Sequence, residues 1–91
     1  MSTMISQPLM TNGAWTEIAV GPIADILLVG PSGGWAVYVA SMAPDVNAVG
    51  MPITAIDGAW SASALEPNEN VFARPFGSYA GRAITISGMK N

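Results

Sequence analysis

Glycine and proline set the outer limit on what this chain can fold into. Ten glycines and seven prolines are spread over its 91 residues, so helices of ordinary length, about 11–12 residues, have nowhere to run. Short strands separated by turn signals remain, which is the pattern of an all-β sandwich or barrel. The runs AWTEIAV (14–20), ADILLVG (24–30), WAVYVAS (35–41), NVFARPF (70–76) and RAITISG (82–88) read as strands, with MPITAI (51–56) and AWSASAL (59–65) as weaker ones. The one helical option is a turn or two around ASMAPDVNA, and Pro44 interrupts it.

Each punctuation mark has a turn mechanism. GPI (21–23) and GPSGG (30–34) join the fixed φ of proline to the positive φ open to glycine. The second of these predicts a central hairpin of 24–30 with 35–41. DG at 57–58 is a hairpin signal between PITAI and AWSAS. EPNEN (66–70) is a polar turn and FGSYAG (76–81) a glycine-containing reversal. Pro75 suits a strand end or an edge, because proline donates nothing to the ladder.

Alternation separates the strands by burial. In 82–88, Ile84 and Ile86 share one face, opposite Ala83, Thr85 and Ser87. In 14–20, Thr16, Ile18 and Val20 oppose Trp15, Glu17 and Ala19. The central pair is different. Trp35, Val37 and Val39 oppose Ala36, Tyr38 and Ala40, and Ile26 and Leu28 oppose Leu27 and Val29. A sandwich hides one face of each sheet against the other sheet, so a second apolar face predicts another chain or another layer.

Composition points the same way. Charged residues make up 10% of the chain and apolar ones 51%, whereas an ordinary soluble domain is roughly a quarter charged. A 9.4 kDa chain should keep about 5,000 Å² of surface when folded alone. There is no cysteine for a disulfide, and without cysteine or histidine a zinc site is not expected. Oligomerisation or docking is the remaining reinforcement for so small a core. Residues 1–13 place Met1, Met4, Leu9 and Met10 among uncharged polar residues. They read as an extended N-terminal arm that docks on a neighbour through flexible methionines, leaving 14–91 as a single β-sandwich domain.

The same inventory sorts the function classes. Net charge is −3, with Arg74, Arg82 and Lys90 the only basic residues. Nucleic-acid binding draws on a basic stripe, so no nucleic-acid partner is expected. MSTMISQPLM has neither the positive flank nor the apolar run of a signal peptide. The most apolar stretch, 18–43, is cut by Pro22, Asp25 and Pro31, so no membrane partner is expected either. Without histidine or cysteine the common nucleophilic triads cannot be built. Asp25, Asp45, Asp57, Glu66 and Glu69 are the oxygen ligands open to calcium, but no calcium-loop spacing occurs, and PDVNAVG (44–50) is too poor in carboxylates. Glu66 and Glu69 share one polar turn and read as solvated charges. GPSGG lacks the spacing of a phosphate loop. The expectation is a protein that is not an enzyme and has no cofactor and no metal. Trp15, Trp35, Trp60, Tyr38 and Tyr79 could stack on a sugar. A shortage of convergent polar groups assigns them instead to core and interface.

WTEIAVG, ADILLVGPSGGWAVYVA, DGAWSASAL, NVFAR and AITISG span residues 14–88. In that order they resemble small virion proteins of tailed bacteriophages, where a Trp-Thr-Glu strand precedes an apolar strand, a turn and a V-Y-V strand. The resemblance implies a small β-sandwich or jelly-roll-like barrel of short antiparallel strands. It also implies a structural role, decorating or cementing the capsid surface after assembly in the bacterial host cytoplasm. The partners would be copies of the chain itself, with a trimer expected, and the phage major capsid protein or another virion protein. A receptor- or glycan-binding module of a fibre or tail is the alternative. The residues expected at the subunit or capsid interface are Met4, Leu9 and Met10 on the arm and Leu27 and Val29 on the first central run. Trp35, Val37 and Tyr38 complete the set on the second.

Overall fold

The computed structural model describes residues 2–91. Its strands are β1 (Thr3–Pro8), β2 (Thr16–Ala19), β3 (Ile23–Val29), β4 (Trp35–Ala40), β5 (Met51–Pro52), β6 (Ala59–Leu65), β7 (Asn70–Pro75) and β8 (Thr85–Lys90), with a 3-10 turn at Gly77–Tyr79. They form two four-stranded sheets, β1-β8-β3-β6 and β2-β7-β4-β5, antiparallel throughout.

The strand order has a simple generator. The pairs β1·β8, β2·β7, β3·β6 and β4·β5 are successive segments of one long antiparallel ribbon folded back at the β4–β5 connection. Rolling the ribbon sends alternate segments to opposite sheets, and the pairs β3·β8 and β4·β7 then complete each sheet. The result is a jelly roll, the small all-β sandwich expected from the sequence. Every connection except β4–β5 therefore crosses from one sheet to the other.

Both expected hairpins are corrected by this topology. Residues 24–30 and 35–41 do not pair, because β3 and β4 lie in different sheets and 30–34 is an arch between them. The arch turns the apolar faces toward each other, so Ile26 and Leu28 share one core with Trp35 and Val37. Gly30 permits the close approach, since a Cβ there would lie 2.7 Å from Ile86 Cδ1 and 2.8 Å from the Trp35 ring. Asp57-Gly58 likewise joins strands of opposite sheets. Its turn chemistry is as expected: Gly58 has φ +67°, its N–H donates to the Ala55 carbonyl, and Asp57 Oδ1 accepts from the Ala59 N–H. A hairpin and an arch use the same turn residues, and only the rotation of the strands about their own axes differs.

The described part of the expected arm is also sandwich. Thr3–Pro8 is an edge strand paired residue for residue with Thr85–Lys90. Ile5 and Leu9 enter the core, and the Leu9 N–H donates to the Ile84 carbonyl. The sandwich thus begins at Thr3 and not at residue 14, while Met1 lies outside the described residues. Within β1 only Ile5 is buried, too sparse a pattern to register as period two. A bulge between Glu17 and Ala19 changes the reading of β2. Ile18 and Ala19 both meet the core, and Val20 is exposed.

The core runs between the sheets around Trp35, which is 0% exposed. Its indole Nε1 donates to the Gly58 carbonyl at 3.1 Å, so the polar end of this large side chain is satisfied where it is buried. Total accessible surface is 5072 Å², in line with the ~5,000 Å² expected for a lone chain of this mass.

Candidate interaction surface

The outer faces of the two sheets have different fates. On β2-β7-β4-β5, Ala36 and Phe72 are buried beneath Trp15. Trp15 meets Tyr38 edge-on, with ring centroids 5.5 Å apart and planes at 70°, a favoured aromatic geometry. The backbone at Gly50 rests on the same indole, and a Cβ there would run into it. The Arg74 guanidinium lies 4.5 Å from the Trp15 ring centroid. It donates to the carbonyls of Val46, Ala48 (2.9 Å) and Gly13 (3.5 Å). The second apolar face of β4 is therefore roofed by residues 13–15 and the 41–50 loop of the same chain. The added layer comes from within.

The outer face of β1-β8-β3-β6 has no such roof. Register places Met4, Met89, Leu27 and Ser61 in one row across all four strands. The next outward row is Ser6, Ser87, Val29 and Ala59, and Asp25 pairs with Ser63 beside the first. Met4 is 75% exposed, Met89 43%, Leu27 41% and Val29 40%. Asp25 is the one ionisable side chain in these rows. A shallow groove of about 510 Å³ crosses the face, lined by Asp25, Leu27, Ser61, Ser63, Met89 and Lys90 among others. An antiparallel sheet normally turns a polar face to water. This one shows methionine, leucine, valine and serine.

The expected interface residues divide accordingly. Met4, Leu27 and Val29 share the open face, and Met10 is exposed in the turn after β1. Leu9, Trp35 and Val37 are not available to a partner, because all three are buried in this chain's own core. Tyr38 is half-buried against Trp15. Met89 and the small residues Ser61 and Ser63 were missed. The alternation that revealed Ile84 and Ile86 extends to Met89 once the last strand is carried to Lys90.

The remaining polar groups mostly build local structure. Asp45 Oδ1 accepts from the Asn47 N–H at 2.8 Å, which organises the loop once weighed as a calcium site. Glu69 Oε1 accepts from the Glu66 N–H at 2.7 Å within its turn. Among the described residues no three His, Cys, Asp or Glu side chains converge as a metal site. Trp15 and Trp35 are buried, and Trp60 packs half-buried against the core, so none of the three presents an open ring for stacking. Comparison with protein-family models, with curated proteins and with solved structures finds no match to this chain.

Proposed function

We propose that this protein is a structural component of a tailed-phage virion, decorating or cementing the capsid surface as a symmetric oligomer. The observation that supports this reading is the difference between the two sheets. One outer face is roofed by the chain itself, while the other is left open, apolar and almost free of charge. Jelly rolls serve viral capsid domains and lectins alike, so the fold is an analogy and does not choose between them. The buried tryptophans favour the capsid reading, since a glycan platform needs exposed rings. In this role each copy makes a modest apolar contact, and many copies on one shell reinforce it by avidity.

Capsids of the particle whose genome encodes the chain, stripped of it, provide the test. Added protein should co-sediment with them saturably, at a copy number that follows the shell symmetry. Binding should persist in high salt, because charge contributes little to it. Absence of the chain from purified particles, or no co-sedimentation, overturns the proposal.

A further inference from the structure

We infer that the open face of β1-β8-β3-β6 binds a second copy of this chain, face to face, about a two-fold axis that runs along the strands between β8 and β3. The inference rests on the symmetric-oligomer part of the proposed function and replaces the expected three-fold with a two-fold. It comes from the register. Such an axis lays β1 over the partner's β6 and β8 over the partner's β3, which is the aligned packing sheets already adopt in sandwiches.

The side chains then meet large on small. Met4, the most exposed of them, stands over the partner's Ser61 in the groove. Val29 faces the partner's Ser87, and Leu27 faces the partner's Met89. Extending the β3·β8 register past Ile26↔Lys90 by one residue puts Asp25 level with Asn91. The carboxylate of Asp25 therefore lies over the partner's Asn91, whose side-chain amide can donate to it, and the symmetry gives this polar contact twice. The other in-plane axis, across the strands at Leu27, would set Asp25 on the partner's Val29 and leave a carboxylate desolvated and unpaired, which is costly. Of the two, the first axis gives large side chains small partners and gives the carboxylate an amide, the self-complementarity that an isologous contact needs.

The size of the face sets the strength. Four strands at ~4.8 Å spacing and about 20 Å long cover on the order of 400 Å², half of the ~800 Å² per partner in a standard interface. The pair should be weak and concentration-dependent in free solution, and firm where copies are held side by side.

The chain has no cysteine, so the full-length double variant Met4→Cys/Ser61→Cys can be joined with a short bismaleimide. Within one chain the two sites are three strand spacings apart, about 14 Å, beyond such a linker. The expected product is a closed, doubly linked dimer, with a yield at least tenfold above that of the exposed collision control Ile56→Cys. Adding Leu27→Glu should abolish it with the melting temperature unchanged. A ladder of higher oligomers, or a yield no better than the control, overturns the inference. Capsid co-sedimentation is scored separately. Binding to the shell without cross-linking overturns the two-fold pair alone, and cross-linking without binding to the shell overturns the proposed function alone.

Discussion

Arg74→Met tests whether one guanidinium holds the roof over β2-β7-β4-β5. Methionine keeps a long apolar stem but removes the fork that reaches the carbonyls of Val46 and Ala48 and the cation above Trp15. A hydrogen bond from a charged donor is worth about 1.5–3 kcal/mol, and partial exposure of Arg74 puts both at the lower end. The cation–π contact adds about 0.5–1 kcal/mol. Partial rescue by water brings the expected loss to about 3 kcal/mol, a fall in Tm of roughly 12–24 °C for a domain this small. Arg74→Lys keeps the charge without the bidentate reach and should lose about half as much. Urea unfolding gives the free energies, and amide exchange gives the location, with protection lost first at Ala48, whose N–H donates to the Asp45 carbonyl. All acceptors are neutral, so added salt should leave the difference unchanged. A loss under ~0.5 kcal/mol, the size of an ordinary surface substitution, or one that salt erases, refutes the roof as described.

Three further outcomes follow from single residues. Gly58→Ala forces alanine into φ +67° and drives its Cβ into the Gly30 carbonyl, so thermal unfolding should show at least ~3 kcal/mol lost from strain and a shifted arch. Trp35→Phe deletes the bond to the Gly58 carbonyl and leaves a void at a fully buried site. Chemical denaturation should show about 2–4 kcal/mol lost. Trp60→Phe should remove the acrylamide-quenchable part of the tryptophan emission, because Trp60 is half-buried while Trp15 and Trp35 are buried.

The periodicities in the sequence were reliable where they described one strand against one interior. The inward residues of β3 and β4 and the pair Ile84 and Ile86 all appear in or against the core. Pairing was not legible, because Gly-Pro and Asp-Gly turns reverse the chain equally well within a sheet or between sheets. The roof was hidden for another reason. Trp15, Gly50 and Arg74 are far apart in sequence and meet only after the ribbon is rolled. A signal did exist in β4, whose outward positions Ala36 and Ala40 are small enough to let an indole settle close to the sheet. The excess of apolar residues pointed to cover from a neighbour, whereas on β4 Trp15 and the 41–50 loop of the same chain supply it. Which sheet supplied its own cover depended on a ten-residue loop with no periodicity of its own.

Charge placement ties the two sheets together. The chain has six acidic and three basic residues, and several of them are committed to internal geometry. Asp45, Asp57 and Glu69 brace turns, and Arg74 holds the roof. Sheet edges are normally protected by lysine, proline or a bulge. Here β1 reads TMISQP and β6 reads AWSASAL, with Pro8 and the positive φ of Ala64 as their only breaks. The chain places these charges on turns and the roof and leaves a sheet face of Met4, Leu27, Val29 and Met89 bare. The roofed sheet shows how such a face is covered: small residues receive a large side chain, and one charge fixes the arrangement. Applied across the two-fold axis inferred above, the same rule sets Met4 on Ser61 and Asp25 opposite Asn91.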